Sequence, residues 1–149
     1  MKKRWESYVM YRQNEKLVEF WKEYYKDKSG AKVLFLLGKG FDPRMNNILK
    51  LFLENNPKQV LDCVAFDFPN EKDPVENKKL YEINSQQLAE LKDQYDFGYE
   101  ELQIDGSLPW DKRIAQMSRQ VIGKDLSAYN DVIMDVSSLP RAFYFNIGK

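Results

Sequence analysis

Two glycines, Gly38 and Gly40, stand in the run Leu37-Gly38-Lys39-Gly40-Phe41-Asp42-Pro43-Arg44, directly after an unbroken apolar block. Glycines at such a junction let the main chain approach a ligand closely, and a following helix would offer unpaired amides at its positive end. The same residues also suit a tight turn in which Asp42 caps the helix and Pro43 takes its first position. Asp67 follows about 25 residues later, a spacing at which an acidic side chain accepts hydrogen bonds from ribose hydroxyls. A third group is Asp135, Ser137, Ser138 and Arg141. Its hydroxyls, loop amides and guanidinium suit a carboxylate or phosphate, and Asp135 suits a proton acceptor or the partner of a substrate amine. A proline turn with ordinary turn-forming serines explains the same residues. Asp105, beside Gly106, reads first as a turn and second as a site residue.

These groups need a scaffold that brings them to one edge. Val33 to Leu37 is short, apolar and bounded by glycines, which fits a strand buried on both faces. Met45, Ile48, Leu49 and Phe52 mark one face of a helix that ends near Asn55-Asn56-Pro57, and Val60 to Phe66 reads as a second strand. Strand, helix and strand form a right-handed crossover, with both strand ends on one edge. Beyond it, Glu71 to Asn77 reads as a charged loop and Lys78 to Asp96 as a helix facing inward through Leu80, Ile83, Leu88 and Leu91. Leu102 to Ile104 reads as a third strand, Lys112 to Val121 as a helix on Ile114, Met117 and Val121, and Asp131 to Val136 as a further strand. The first 30 residues read as a helical segment rich in aromatic residues: Leu17, Phe20, Trp21 and Tyr24 recur at helical spacing, with Trp5, Tyr8 and Val9 ahead of them. That face either docks on the core or receives a protein partner. The fold expected is α/β: one Rossmann-like three-layer domain over residues 1–149, with a mainly parallel sheet behind an aromatic N-terminal helix. The apolar run Ala142 to Ile147 so near the end suggests a truncated domain or a fragment of a longer chain.

Composition narrows the chemistry. The chain has 149 residues, 43% of them hydrophobic, which is enough for a core. Basic and acidic residues balance at 23 each, so net charge gives no sign of a nucleic-acid partner. There is no histidine, which removes Ser-His-Asp and Cys-His catalysis and histidine metal sites. No metal motif is present. The single cysteine, Cys63, sits in an apolar run and reads as a small buried hydrophobe. With no disulfide framework, signal core or apolar run of about 20 residues, the expected setting is cytoplasmic, without a membrane.

The Leu37 to Arg44 run resembles the glycine motif of class I S-adenosylmethionine-dependent methyltransferases, closest to the leucine carboxyl-methyltransferase-like pattern LGxGxDxR. Phe66-Asp67-Phe68-Pro69 is similar to that group's second-strand acidic motif. The resemblance implies that Gly38 and Gly40 cradle the methionine part of S-adenosylmethionine, that Asp67 holds the ribose, that Asp42 and Arg44 line the cofactor or substrate carboxylate pocket, and that Asp105 faces the adenine amine. It spans about 35 residues, and Asp135 to Arg141 matches no motif of the family. Three readings stand side by side: a methyltransferase-like enzyme; a protein that processes or senses NAD or another nucleotide, such as a stress or phage-defence effector, with Ser137, Ser138 and Arg141 at phosphate or ribose; and a non-catalytic interaction module.

Overall fold

A computed structural model describes residues 14–68, 73–140 and Phe143. Helix α1 (Asn14–Tyr24) precedes β1 (Lys32–Lys39), α2 (Asn47–Asn55), β2 (Val60–Asp67), α3 (Val75–Tyr95), β3 (Gly98–Gln103), α4 (Trp110–Ile122) and β4 (Asp131–Met134). The four strands lie in the order β3-β2-β1-β4 and every adjacent pair is parallel. This is the Rossmann-like arrangement expected from the sequence.

The unbroken apolar run of β1 follows from its central place. Val33, Phe35 and Leu37 face one core with Trp21 of α1, Leu49 and Phe52 of α2, and Leu88 and Leu91 of α3. Leu34 and Leu36 face the other, with Ile114, Met117 and Val121 of α4 and the ring of Phe143. Each such side chain contributes about 1.5–3 kcal/mol on burial. Cys63 is buried in the first core, and desolvation pushes its thiol well above the ordinary range. No described helix is long and apolar enough to cross a membrane.

Several expectations are corrected. Asp42 does not cap α2, nor is Pro43 its first residue: a turn intervenes, the helix starts at Asn47, and Asn46 holds the cap position. The third strand begins four residues earlier than its apolar signal, because β3 is an edge strand whose outward residues are charged. There Glu100 pairs with Lys124, and Glu101 with Lys39. β4 stops at Met134, since Asp135 turns the chain by accepting from Ser137. The helix expected from Lys78 starts at Val75, so the loop before it is shorter. Ile83 is exposed, and the polar Asn84 takes the inward position in its place. The described aromatic residues of α1 are spent on the core: Trp21 meets Phe52 edge-on at 5.0 Å and Phe20 packs against the same cluster. Trp5 and Tyr8 lie outside the described residues.

Candidate functional site

The strand order fixes where a ligand can enter. The chain winds outward from β1 through β2 to β3, then returns across the sheet to β4 on the other side of β1. The winding direction therefore reverses between β1 and β4, and loops leaving their carboxyl ends separate into a crevice. A cavity of about 440 Å³ lies there, walled by the turn Gly38–Asp42, by Ser137–Pro140 after β4, by Phe68 after β2, by Tyr81 of α3, and by Trp110 and Arg113 of α4. A depression of about 450 Å³ lies at the opposite edge, against Tyr24, Gly30 and Asp131. It sits at the amino ends of the strands, where a parallel sheet offers no ligand crevice, so the carboxyl-edge cavity is the candidate site.

The two glycines differ in purpose. A Cβ at Gly38 would stand 2.1 Å from the carbonyl oxygen of Ser138, and the Gly38 N–H donates to Ser138 Oγ at 3.0 Å. Glycine is required there so that the β1 and β4 loops can touch. At Gly40 no atom of the described residues lies within 4 Å of the equivalent position, so its Cβ side is open, while its N–H donates to Met45 Sδ at 3.4 Å. The turn is held from behind by Asn84, only 2% exposed, whose Nδ2 donates at 2.8 Å to the carbonyls of both Gly40 and Asp42. Asn46 in turn donates to the Asn84 carbonyl at 2.9 Å. Carbonyls turned inward need such donors. Asp42 accepts from the Arg44 amide at 2.9 Å and from its guanidinium at 2.8 and 3.0 Å, which holds the carboxyl below its ordinary range. Arg44 itself points into solvent and forms no part of the cavity wall.

Asp67 is 4% exposed and lies in register between Lys39 and Gln103. It accepts from the Tyr81 hydroxyl at 2.8 Å and from Gln103 Nε2 at 2.9 Å, one bond on each oxygen. Beside it, Lys39 Nζ donates to both Glu101 oxygens at 3.1 Å, and the Tyr99 hydroxyl donates to Glu101 at 2.7 Å. Asp67 is thus a member of a polar network beneath the site and lies behind the cavity wall. Burial pushes the Glu101 carboxyl up, but the Tyr99 hydroxyl and Lys39 more than offset this and leave it below its ordinary 4.5. A carboxylate depressed in the folded state stabilises above its unfolded value, and that contribution is lost as pH falls through the folded one. Glu101→Gln should therefore lower the melting temperature near neutral pH, and the gap to wild type should close below pH about 4 in thermal melts.

After β4, Ser137 and Ser138 both line the cavity. Asp135 lies just behind them: its Oδ1 accepts from the Ser137 amide at 3.0 Å and hydroxyl at 2.6 Å. Arg141 lies outside the described residues. Asp105 is exposed and caps its own turn through Ser107; the hydrogen bonds from Ser107 lower its carboxyl pKa, and it stands outside the wall. Of the residues singled out in the sequence, the wall thus gathers Gly38, Gly40, Asp42, Ser137 and Ser138. It also holds residues to which the sequence reading gave no role: Phe41 and Phe68 within the quoted motifs, and Tyr81, Trp110 and Arg113 outside them. Trp110 is 51% exposed and Phe41 44%, although both are large and apolar. The Phe68 ring lies 6.5 Å from Trp110, and the Arg113 guanidinium sits 5.9 Å over the Trp110 face. Exposed aromatic residues flanking proline and glycine turns were the available signal.

No protein-family model matches the sequence, and no curated protein matches it. Among solved structures the chain is similar to an NH3-dependent NAD synthetase from Campylobacter jejuni in complex with the nitrate ion. The two share 14% identity at a TM-score of 0.46, over 80% of this chain and 53% of that one. The chain thus spans about half the length of that structure. A likeness at this level says nothing about ligand or reaction.

Proposed function

We propose that this protein binds a nucleoside-containing small molecule, a nucleotide in the first instance, in the crevice between β1 and β4. The observation that carries the reading is the two-sided character of the cavity. Phe41, Phe68 and Trp110 give it partly exposed aromatic surface, while the hydroxyls of Ser137 and Ser138 give it polar groups and the Cβ side of Gly40 leaves room beside the turn. A flat base and a hydroxyl-rich sugar match those two surfaces. Base stacking on an aromatic side chain is worth about 1–3 kcal/mol. The Arg113 guanidinium, held by the main-chain carbonyls of Leu108 and Gly106, keeps further N–H donors for an anionic group.

Binding of ATP, NAD, adenosine and S-adenosylmethionine should be measured by calorimetry on the whole chain. The expected result is binding of at least one of the first three, weakened about 5- to 150-fold by Trp110→Ala with little change in melting temperature. Binding that is untouched by Trp110→Ala, or absent for every adenosine compound, defeats the reading. Binding of S-adenosylmethionine alone would favour the methyltransferase-like alternative. That resemblance gives Gly38 and Gly40 to the methionine moiety, and the Cβ side of Gly38 is filled by Ser138.

A further inference from the structure

The same local turn occurs three times among the described residues. In Asp105-Gly106-Ser107, Asp125-Leu126-Ser127 and Asp135-Val136-Ser137, the aspartate Oδ1 accepts from both the amide and the hydroxyl of the serine two residues on. The turn needs only a carboxylate, and at Asp105 and Asp125 that carboxylate is exposed. Asp135 differs in two ways. It is 4% exposed, and its second oxygen is buried without a hydrogen-bond partner among the described residues. Burying an ionised oxygen unpaired is costly, and the turn gives no reason for it. Only this turn, moreover, puts its serine in the cavity wall.

We propose that Ser137 is a nucleophilic serine and that Asp135 is the residue that positions it and takes its proton. The pair goes beyond nucleotide binding: it shares the cavity and the Ser137 hydroxyl with that reading and adds a reaction to it. The 2.6 Å hydrogen bond already directs the Ser137 proton at Asp135 Oδ1 and leaves the serine lone pairs free for an electrophile in the cavity. Attack on an acyl carbon or a phosphorus forms the bond from Ser137 Oγ, and the leaving group departs with its electron pair. The serine proton passes to Asp135, which becomes a carboxylic acid. Burial favours that neutral form and is the largest influence raising its pKa; the Ser137 hydroxyl and amide oppose it, the Asp42 carboxylate supports it, and Arg44 opposes it. No histidine is needed for this division of labour.

The test uses the whole chain with a fluorophosphonate, which would place phosphorus on Ser137 Oγ and release fluoride, read by peptide mass spectrometry. Ser107 and Ser127 are controls within the same molecule, since they share the turn but not the buried base. Ser137 should be labelled at least tenfold faster than either, and Asp135→Asn should cut that rate at least tenfold, because Oδ1 still accepts the turn bonds but takes no proton. Equal labelling of the three serines, or none at Ser137, overturns the proposal in the wild-type chain alone, whatever the variant's folding. An Asp135→Asn protein that is folded yet labelled at the wild-type rate also overturns it. Labelling that ATP fails to block leaves this pair standing and counts against the nucleotide reading, so the two fail separately.

Discussion

Gly38→Ala should destabilise the fold by about 1–3 kcal/mol or more, whereas Gly40→Ala, two residues away in the same turn, should leave it within about 1 kcal/mol of wild type. The difference lies in what each new Cβ meets. At Gly38 it would stand 2.1 Å from the Ser138 carbonyl oxygen and 2.9 Å from the carbonyl carbon, so main chain must move. That displacement also strains the bond from the Gly38 amide to Ser138 Oγ, which closes the crevice between β1 and β4. At Gly40 the space is empty and the residue carries no positive φ. Thermal melts should show a fall of about 3–10 °C for Gly38→Ala and little change for Gly40→Ala. Ligand affinity should reverse the order of interest: a methyl group at Gly40 enters the open side of the turn and weakens nucleotide binding in a protein of normal stability. If the two variants melt alike, the close approach of the two loops is not what requires glycine at position 38.

Phe52→Ala should cost about 3–5 kcal/mol, the largest single loss expected on the α1 side of the sheet. Phe52 is 1% exposed and its ring receives Trp21 edge-on at 5.0 Å and Tyr25 at 5.8 Å. Truncation leaves a cavity beneath both rings and removes edge-to-face contacts worth about 0.5–1.5 kcal/mol per pair beyond their buried area. Chemical denaturation should show a lower midpoint with an unchanged slope. A loss below about 1 kcal/mol would mean that α1 adds little to the core, and its aromatic face would then again be a candidate surface for a protein partner.

What the sequence determined by itself was the local part of the fold. β1 and β2 announced themselves as apolar runs, because a central parallel strand is covered on both faces and has no polar side to alternate with. The apolar face of α4 was legible for the related reason that Ile114, Met117 and Val121 recur at helical spacing. The glycine turn and the serine loop were recognisable as belonging to strand ends. Edge strand β3 was half hidden, since its charged residues pair laterally with Lys39 and Lys124 and so broke the apolar pattern. The make-up of the site was settled only in three dimensions. Phe41, Phe68, Trp110 and Ser137 leave four different elements and meet because the strand order reverses beside β1, which no local spacing records. The same packing decided that Asp67, well spaced for a ribose, is engaged on both oxygens, and that Asp135 is buried with one oxygen unpaired among the described residues. Residue type and spacing report what a segment must bury; which polar groups keep an unused lone pair depends on neighbours brought from elsewhere in the chain, and only the assembled sheet supplies them.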